Sequence, residues 1–292
     1  MAAKKTTARK NAATPEERQA KVTAALDTLK DGVATLVDSE GWKRFLSAQA
    51  RFHQYSANNV ILILMQRPDA TRVAGYRTWL ALGRQVRKGE KGLTILAPSR
   101  RTIEDEKTGE KKSVLTGFRT VAVFDIGQTD GEALPENPAS LLEGAGDDAV
   151  HAALIEQIEA AGFRYEEVAQ IEEMPGANGV TMFAERVVQV VESMTAAQKL
   201  KTTAHELAHV LLHDPADPDR GTDRGLIEVE AESTAFIVLH ALGIDAGDYS
   251  FGYIAGWADG NAEKIQKVAG RVQRAAGRIL EALVGPAGAE AA

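Results

Sequence analysis

Apolar residues first recur along the chain at helical spacing. Val22, Leu26, Leu29, Val33 and Leu36 fall three or four residues apart, which predicts an amphipathic helix. Thr14-Pro15-Glu16-Glu17 marks its start, with Thr14 as N-cap, Pro15 as first helical residue and Glu17 closing a capping box. A second helix is predicted over roughly 41–52, with Trp42, Phe45 and Phe52 at core spacing. A third runs from Asn58 or Asn59, read as its cap, through the apolar stretch Val60 to Met65, and Pro68 stops it. The pattern then changes to short β-type runs at 92–97 and 120–125, separated by a turn around Thr108-Gly109-Glu110.

Beyond residue 147 both patterns continue. Helices are predicted at 148–161, from Thr195 to about His213 with Gln198 completing a capping box, at 225–242 and at 261–283. Extended runs begin at Gly162-Phe163-Arg164-Tyr165 and lie on either side of Ala177-Asn178-Gly179. The strongest strand signal is Arg186 to Glu192, β-branched and bounded by polar residues, and it is read as an edge on which an extended peptide could lie. The fold class is α+β. Gly, Pro and acidic residues collect around 130–147, which divides the chain into a basic arm 1–14, a first domain 15–130, a linker 131–147, a second domain 148–283 and a tail 284–292.

Composition narrows the function classes. With 292 residues and 44% apolar content the chain can bury a sizeable core. Its longest apolar run is far shorter than the roughly 20 residues of a membrane helix, and no apolar stretch follows Met1-Ala2-Ala3-Lys4-Lys5, so a cytoplasmic location is expected. There are no cysteines, which leaves His, Asp and Glu as strong metal ligands. The net charge of −7 conceals an asymmetry: residues 1–120 hold 23 Lys and Arg against 12 Asp and Glu, and the remainder holds 11 against 29. A basic half suits a polyanion, although two opposed halves also attract each other.

The chemistry centres on His205-Glu206-Leu207-Ala208-His209 within a predicted helix. Residues four apart share a helix face, so both imidazoles meet one zinc, or another divalent metal, and Glu206 stands as general base toward an attacking water. The third ligand is sought in Glu228-Val229-Glu230-Ala231-Glu232, where Glu228 and Glu232 share a face and Glu230 points away. Glu228 is preferred, with Glu232 as the alternative or as a partner behind an imidazole. His213 is turned aside from His205 by the helical pitch and reads as packed or as a supporting histidine; His151 and His240 have no partner pattern. Such a site suits hydrolysis of a protein substrate.

In the basic half, residues 41–101 carry twelve Lys and Arg against Asp69 and Glu90 alone, with aromatics interleaved. That mixture suits single-stranded nucleic acid, whose bases stack on exposed rings. The expected contacts are Arg51, His53, Tyr55, Asn58, Asn59 and Trp79, together with Arg84, Arg87, Lys88 and Lys91 in a Gly-bounded turn. In the last helix Lys264, Lys267, Arg271, Arg274 and Arg278 form a basic stripe opposite Ile265, Val268, Val272, Ile279 and Leu283. It reads as a solvated face, or more sharply as an extension of the DNA track or a dock on the acidic half.

Several stretches carry a family resemblance. They are Tyr55-Ser56-Ala57-Asn58-Asn59, Met65-Gln66-Arg67-Pro68, Gly75-Tyr76-Arg77-Thr78-Trp79, Gly89-Glu90-Lys91-Gly92 and the run from Val123 to Gly131, followed by the HExxH helix, Glu228 to Ser233 and Ser250 to Trp257. On these the chain resembles the ArdC-type antirestriction proteins of conjugative plasmids and related mobile elements. The resemblance implies an N-terminal single-stranded DNA-binding domain, a C-terminal zincin-like metallopeptidase domain and a role in shielding DNA from restriction. The second half is also similar to the ImmA/IrrE group, whose metal Glu lies in an E-x-x-A pattern matched by Glu228 to Ala231. A protease that cleaves a regulatory protein, with DNA as tether, is the alternative.

Overall fold

A computed structural model describes residues 14–104, 111–134, 146–218, 220, 223–244 and 261–284. The arm before Thr14, most of the expected linker, the turn at 108–110, the Ser250 to Trp257 motif and the tail after 284 lie outside these residues. Thr14 caps α1 (Pro15–Ala34) reciprocally with Glu17, at 3.2 and 2.8 Å. Helix α2 (Ser39–Arg51) starts at Asp38 and buries Trp42, Phe45 and Leu46 completely.

The cap of α3 (Ala57–Gln66) is Ser56, not Asn58 or Asn59. The asparagines are drawn elsewhere because their amides find fixed partners. Asn59 and Gln66, two turns apart, grip the backbone of β3 (Leu93–Glu104). Asn59 accepts from Leu96 N at 2.9 Å and donates to Leu96 O at 3.0 Å, and Gln66 does the same at Thr94 at 2.7 and 2.8 Å. The two amides thereby take the place of a neighbouring strand along the sheet edge.

That sheet has the order β1-β4-β3, with β1 (Val73–Gly75) and β4 (Lys111–Asp125) antiparallel neighbours. Between them α4 (Tyr76–Ala81) packs Trp79, and β2 (Arg84–Val86) pairs with β5 (Thr129–Gly131). These three- and six-residue pieces escape sequence prediction because they are too short to show a period. Strands β3 and β4 extend well past the predicted 92–97 and 120–125. A bulge at Ser99/Arg100 leads into a ribbon exposed on both faces, where no buried side sets an alternation.

In the second half, α5 (Gly146–Ala160) precedes β6 (Arg164–Val168), β7 (Gly179–Met182) and β8 (Val187–Val191), and then α6 (Ala196–Leu212), α7 (Arg224–Ala241) and α8 (Ala262–Val284) follow. The run before Ala177 bends from residue 169 on, so only the run after it is a strand. Sheet order is β6-β8-β7, with β6 parallel and β7 antiparallel to β8. The strand expected at an edge is therefore the central one. Val187, Val188 and Val190 are 3%, 0% and 0% exposed, which is the reason for the apolar run. The edge beside α6 belongs to β7.

The described residues on both sides of the expected linker share one continuous apolar core. Helix α2 packs on α7, where Trp42 Nε1 donates to Ser233 Oγ at 2.9 Å, and α8 packs against α1, α3, α5, α6 and α7. Among the described residues no helix is long and apolar enough to cross a membrane.

Candidate metal centre and basic surface

Thr195 and Gln198 set the start of α6 through a two-way capping box, which fixes the rotation of every later side chain on that helix. Four residues apart, His205 and His209 then stand side by side, with their Nε2 atoms 3.0 Å apart. Asp223 caps α7, its Oδ1 accepting from Leu226 N at 2.9 Å, and this brings Glu228 to the same place. Its Oε2 is 3.4 Å from His205 Nε2 and 3.8 Å from His209 Nε2. One turn on, Glu232 lies 3.2 Å from His205 Nδ1 and 3.0 Å from Lys201 Nζ, behind the imidazole. Of the two carboxylates weighed as third ligand, Glu228 faces the imidazole pair.

Three acceptor atoms converge at spacings close to the edge of a tetrahedron with bonds of about 2.0–2.1 Å, which is about 3.3 Å. Two imidazole nitrogens and a carboxylate are a borderline-to-hard donor set, suited to zinc and to other first-row divalent ions. The residues fit such a cation. Electrostatics without one show the strain: burial depresses the His205 imidazolium, but hydrogen bonds to Glu228 and Glu232 outweigh it and raise its pKa to about 9. The Glu228 carboxyl is held well below the usual range by His205 first and His209 second.

Glu206 is buried at 5% exposure and clamped from β7, where Thr181 Oγ1 donates to its Oε2 at 2.7 Å. Gly179 makes room for it: a Cβ there would stand 2.7 Å from Glu206 Oε1. His213, read as packed or supporting, reaches His209, Nδ1 to Nδ1, at 2.9 Å. Burial pushes its imidazolium pKa down, against Glu230. Glu230 does point away from His205, but it is 1% exposed and lies 3.0 Å from His213 Nε2. His151 instead bonds Tyr165 and Thr203, and His240 stacks on Phe236.

The expected nucleic-acid contacts fare differently. Tyr55 and Trp79 belong to the core, at 7% and 0% exposure, donating to Val73 O and Phe124 O. Asn59 holds β3, and Asn58 Oδ1 accepts from Gln266 on α8 at 2.9 Å. Arg84 folds back on Thr129, Gly131 and Glu132, because β2 and β5 need a cross-tie in place of a solvated turn. Arg87 is tied to Glu90, Gly127 O and Asp130, and His53 is half-buried against Ala50 O. Arg51, Lys88 and Lys91 remain exposed. In the α8 stripe, Lys264, Lys267, Arg274 and Arg278 are exposed, but Arg271 is drawn inward to Glu230.

The β3–β4 ribbon has no counterpart among the residues expected from sequence. It exposes Arg100, Arg101, Lys111, Lys112 and Arg119 beside Ile103, Val114, Leu115 and Phe118, the last four at 43–50% exposure. The available signal was the density of cations among β-formers between residues 100 and 119. Thr181, Glu230 and Arg271 had none, since each acquires its role only through a contact distant in sequence.

Residues 14–124 match the family model of the N-terminal domain of anti-restriction factor ArdC. The metal-free crystal structure of the antirestriction ArdC protein from plasmid R388 is similar at a TM-score of 0.50 and 25% identity, over 78% of this chain and 85% of that one. Its Mn(II)-bound structure gives 0.49 and 24%, over 80% and 86%. An uncharacterised protein of Bacillus anthracis is 28% identical over 268 residues, 75% of this chain but 43% of its own length, so the chain spans less than half of that relative. Residues 14–124 thus form an ArdC-type N-terminal domain, and the fold of the chain is similar to that of the metal-free plasmid protein.

Proposed function

We propose that the chain protects DNA from restriction by binding single strands through residues 15–130, while residues 148–283 carry a peptidase-like centre for zinc or another divalent ion. The observation that carries this reading is the β3–β4 ribbon. Four apolar side chains held in water along a doubly exposed ribbon constitute an interaction surface. The cations beside them select a polyanion, and Phe118 offers a face on which an unpaired base stacks, whereas a duplex hides its bases. Arg51, Lys88 and Lys91 add charge. Both roles belong to the cytoplasm.

The test is fluorescence anisotropy of the full chain with labelled single- and double-stranded oligonucleotides at several salt concentrations. Phe118→Ala should weaken single-strand binding by about 1–3 kcal/mol, the usual loss of one stacked base. Reversing Arg100 and Arg101 to Glu should flatten the log–log salt slope by about 0.7 for each phosphate no longer neutralised. Binding that both variants retain in full would remove the ribbon from the reading.

A second reading, in which cleavage of a protein is the main activity, is favoured by the clamp on Glu206. A divalent ion bound by His205, His209 and Glu228 would supply Lewis acidity, lowering the pKa of water and polarising a carbonyl. Glu206, its Oε2 held by Thr181, would take the proton of the attacking water and return it to the leaving amine. The edge of β7, unpaired among the described residues, offers an extended peptide a place beside this base. Glu206→Gln separates the readings: protection of incoming DNA that survives the change points to binding, and protection lost with it points to hydrolysis.

A further inference from the structure

Behind His209 runs a chain of buried polar groups that the HExxH motif does not include. Arg271, Glu230 and His213 are 6%, 1% and 3% exposed, and they come from three different segments: α8, α7 and the C-cap of α6. Burying such groups is costly unless each is satisfied, and apolar residues would have filled the same space more cheaply. Their order makes a specific demand on protons.

Arginine can only donate and an ionised carboxylate can only accept. Arg271 Nε donates to Glu230 Oε1 at 2.9 Å, while its other nitrogens reach Leu212 O and, at 3.8 Å, Asp217. Glu230 Oε2 lies 3.0 Å from His213 Nε2, so that nitrogen carries the hydrogen. In the neutral ring, His213 Nδ1 is then a lone pair, and the only way to satisfy its 2.9 Å contact is a hydrogen on His209 Nδ1. The remaining nitrogen, His209 Nε2, is left bare, facing His205 Nε2 at 3.0 Å and Glu228 Oε2 at 3.8 Å.

We propose that Arg271, Glu230 and His213 are positioning residues of the metal centre, fixing His209 in the tautomer whose Nε2 can bind a cation; the proposal rests on the metal-centre reading above. His205 is served in the same way by a shorter chain, Lys201 to Glu232 to His205 Nδ1. His205 is thus oriented directly by a carboxylate that a cation holds in turn, the usual arrangement behind metal-bound histidines, whereas His209 reaches such a carboxylate only through His213. The longer chain makes the seat of His209 depend on α8, a helix about sixty residues away in sequence, which also packs on α1 and α3.

The wild-type chain provides the first test. Nitrogen-15 NMR of its histidine rings, without metal, should find the hydrogen on Nδ1 of His209 and on Nε2 of His213; the reverse assignment overturns the proposal. Glu230→Gln reverses the polarity, since an amide N–H pointed at His213 drives the hydrogen of His209 onto Nε2. Zinc affinity, read by competition with a chromogenic chelator, should then fall about 10- to 100-fold, and the visible spectrum of the cobalt-loaded chain should change. Arg271→Met should weaken zinc similarly, with Arg271→Lys recovering part of the affinity. Folded Glu230→Gln protein with wild-type zinc affinity and wild-type ring protonation would sink the proposal. If that variant does not fold, the wild-type NMR assignment decides. His205→Ala distinguishes the two levels. Wild-type protein that binds zinc no more tightly than His205→Ala ends the metal-centre reading itself. Binding lost in His205→Ala but intact in Glu230→Gln ends only the positioning role.

Discussion

Ser233→Ala tests whether the two halves of the chain are one folding unit. Its hydroxyl on α7 accepts the indole N–H of Trp42 on α2, across 191 residues of sequence, and both side chains are fully buried. Alanine leaves the indole donor without a partner in a site that water does not reach, which costs about 1–3 kcal/mol. In a Trp42→Phe background the donor is already gone, so the same serine change should cost under about 0.5 kcal/mol, leaving a coupling energy of about 1–2 kcal/mol. The assay is urea unfolding followed by far-UV circular dichroism, which sees every helix, and by tryptophan fluorescence, which reports Trp42 and Trp79 together with Trp257. If the shared core makes the halves cooperative, Ser233→Ala lowers both midpoints together. Because the change sits in the second half and Trp79 in the basic half, a fluorescence midpoint that did not move would refute the reasoning. So would a double-mutant coupling near zero. For the same reason a fragment ending near residue 135 should be less stable than the intact chain, since it leaves Trp42 without its cover.

Other expectations follow from single contacts. In chelator-treated protein, His205 has a folded pKa near 9 against 6.5 unfolded, so its contribution is complete below about pH 6.5 and disappears as pH rises through 9. At about 1.4 kcal/mol per unit it amounts to at most about 3 kcal/mol, and melting temperatures between pH 7 and 9.5 should fall less steeply in His205→Gln. Asn59→Ala should destabilise by about 1–3 kcal/mol, by freeing Leu96 N and O, and should leave oligonucleotide affinity at its wild-type value when measured well below the melting temperature. Gly179→Ala sets a Cβ 2.5 Å from Thr202 Cγ2 and 2.7 Å from Glu206 Oε1, so any peptidase turnover should be lost with zinc stoichiometry kept. Loss of zinc from that variant would show that the base and the ligands are not independently placed.

What the sequence determined by itself was local. The caps at Thr14 and Thr195 and the face shared by His205 and His209 follow from bonds and angles within one or two turns of helix, so spacing alone specifies them. The pairing of Glu228 and Glu232 on α7 is of the same kind. Tertiary structure decided what each face meets. Arg186 to Glu192 has one pattern whether a neighbour lies on one side or both, and only the pairing with β6 and β7 makes β8 central. Asn59 and Arg84 read as exposed nucleic-acid contacts and Arg271 as part of a solvated stripe, yet each is bound by a backbone edge, a short ribbon or a buried carboxylate supplied from far along the chain. A polar side chain gives the same signal in sequence whether its partner is water or protein, because hydrogen-bonding capacity belongs to the residue while burial belongs to the fold. The proposed metal ligands were accessible to spacing for the first reason, and the Arg271 to His213 chain behind them was hidden for the second.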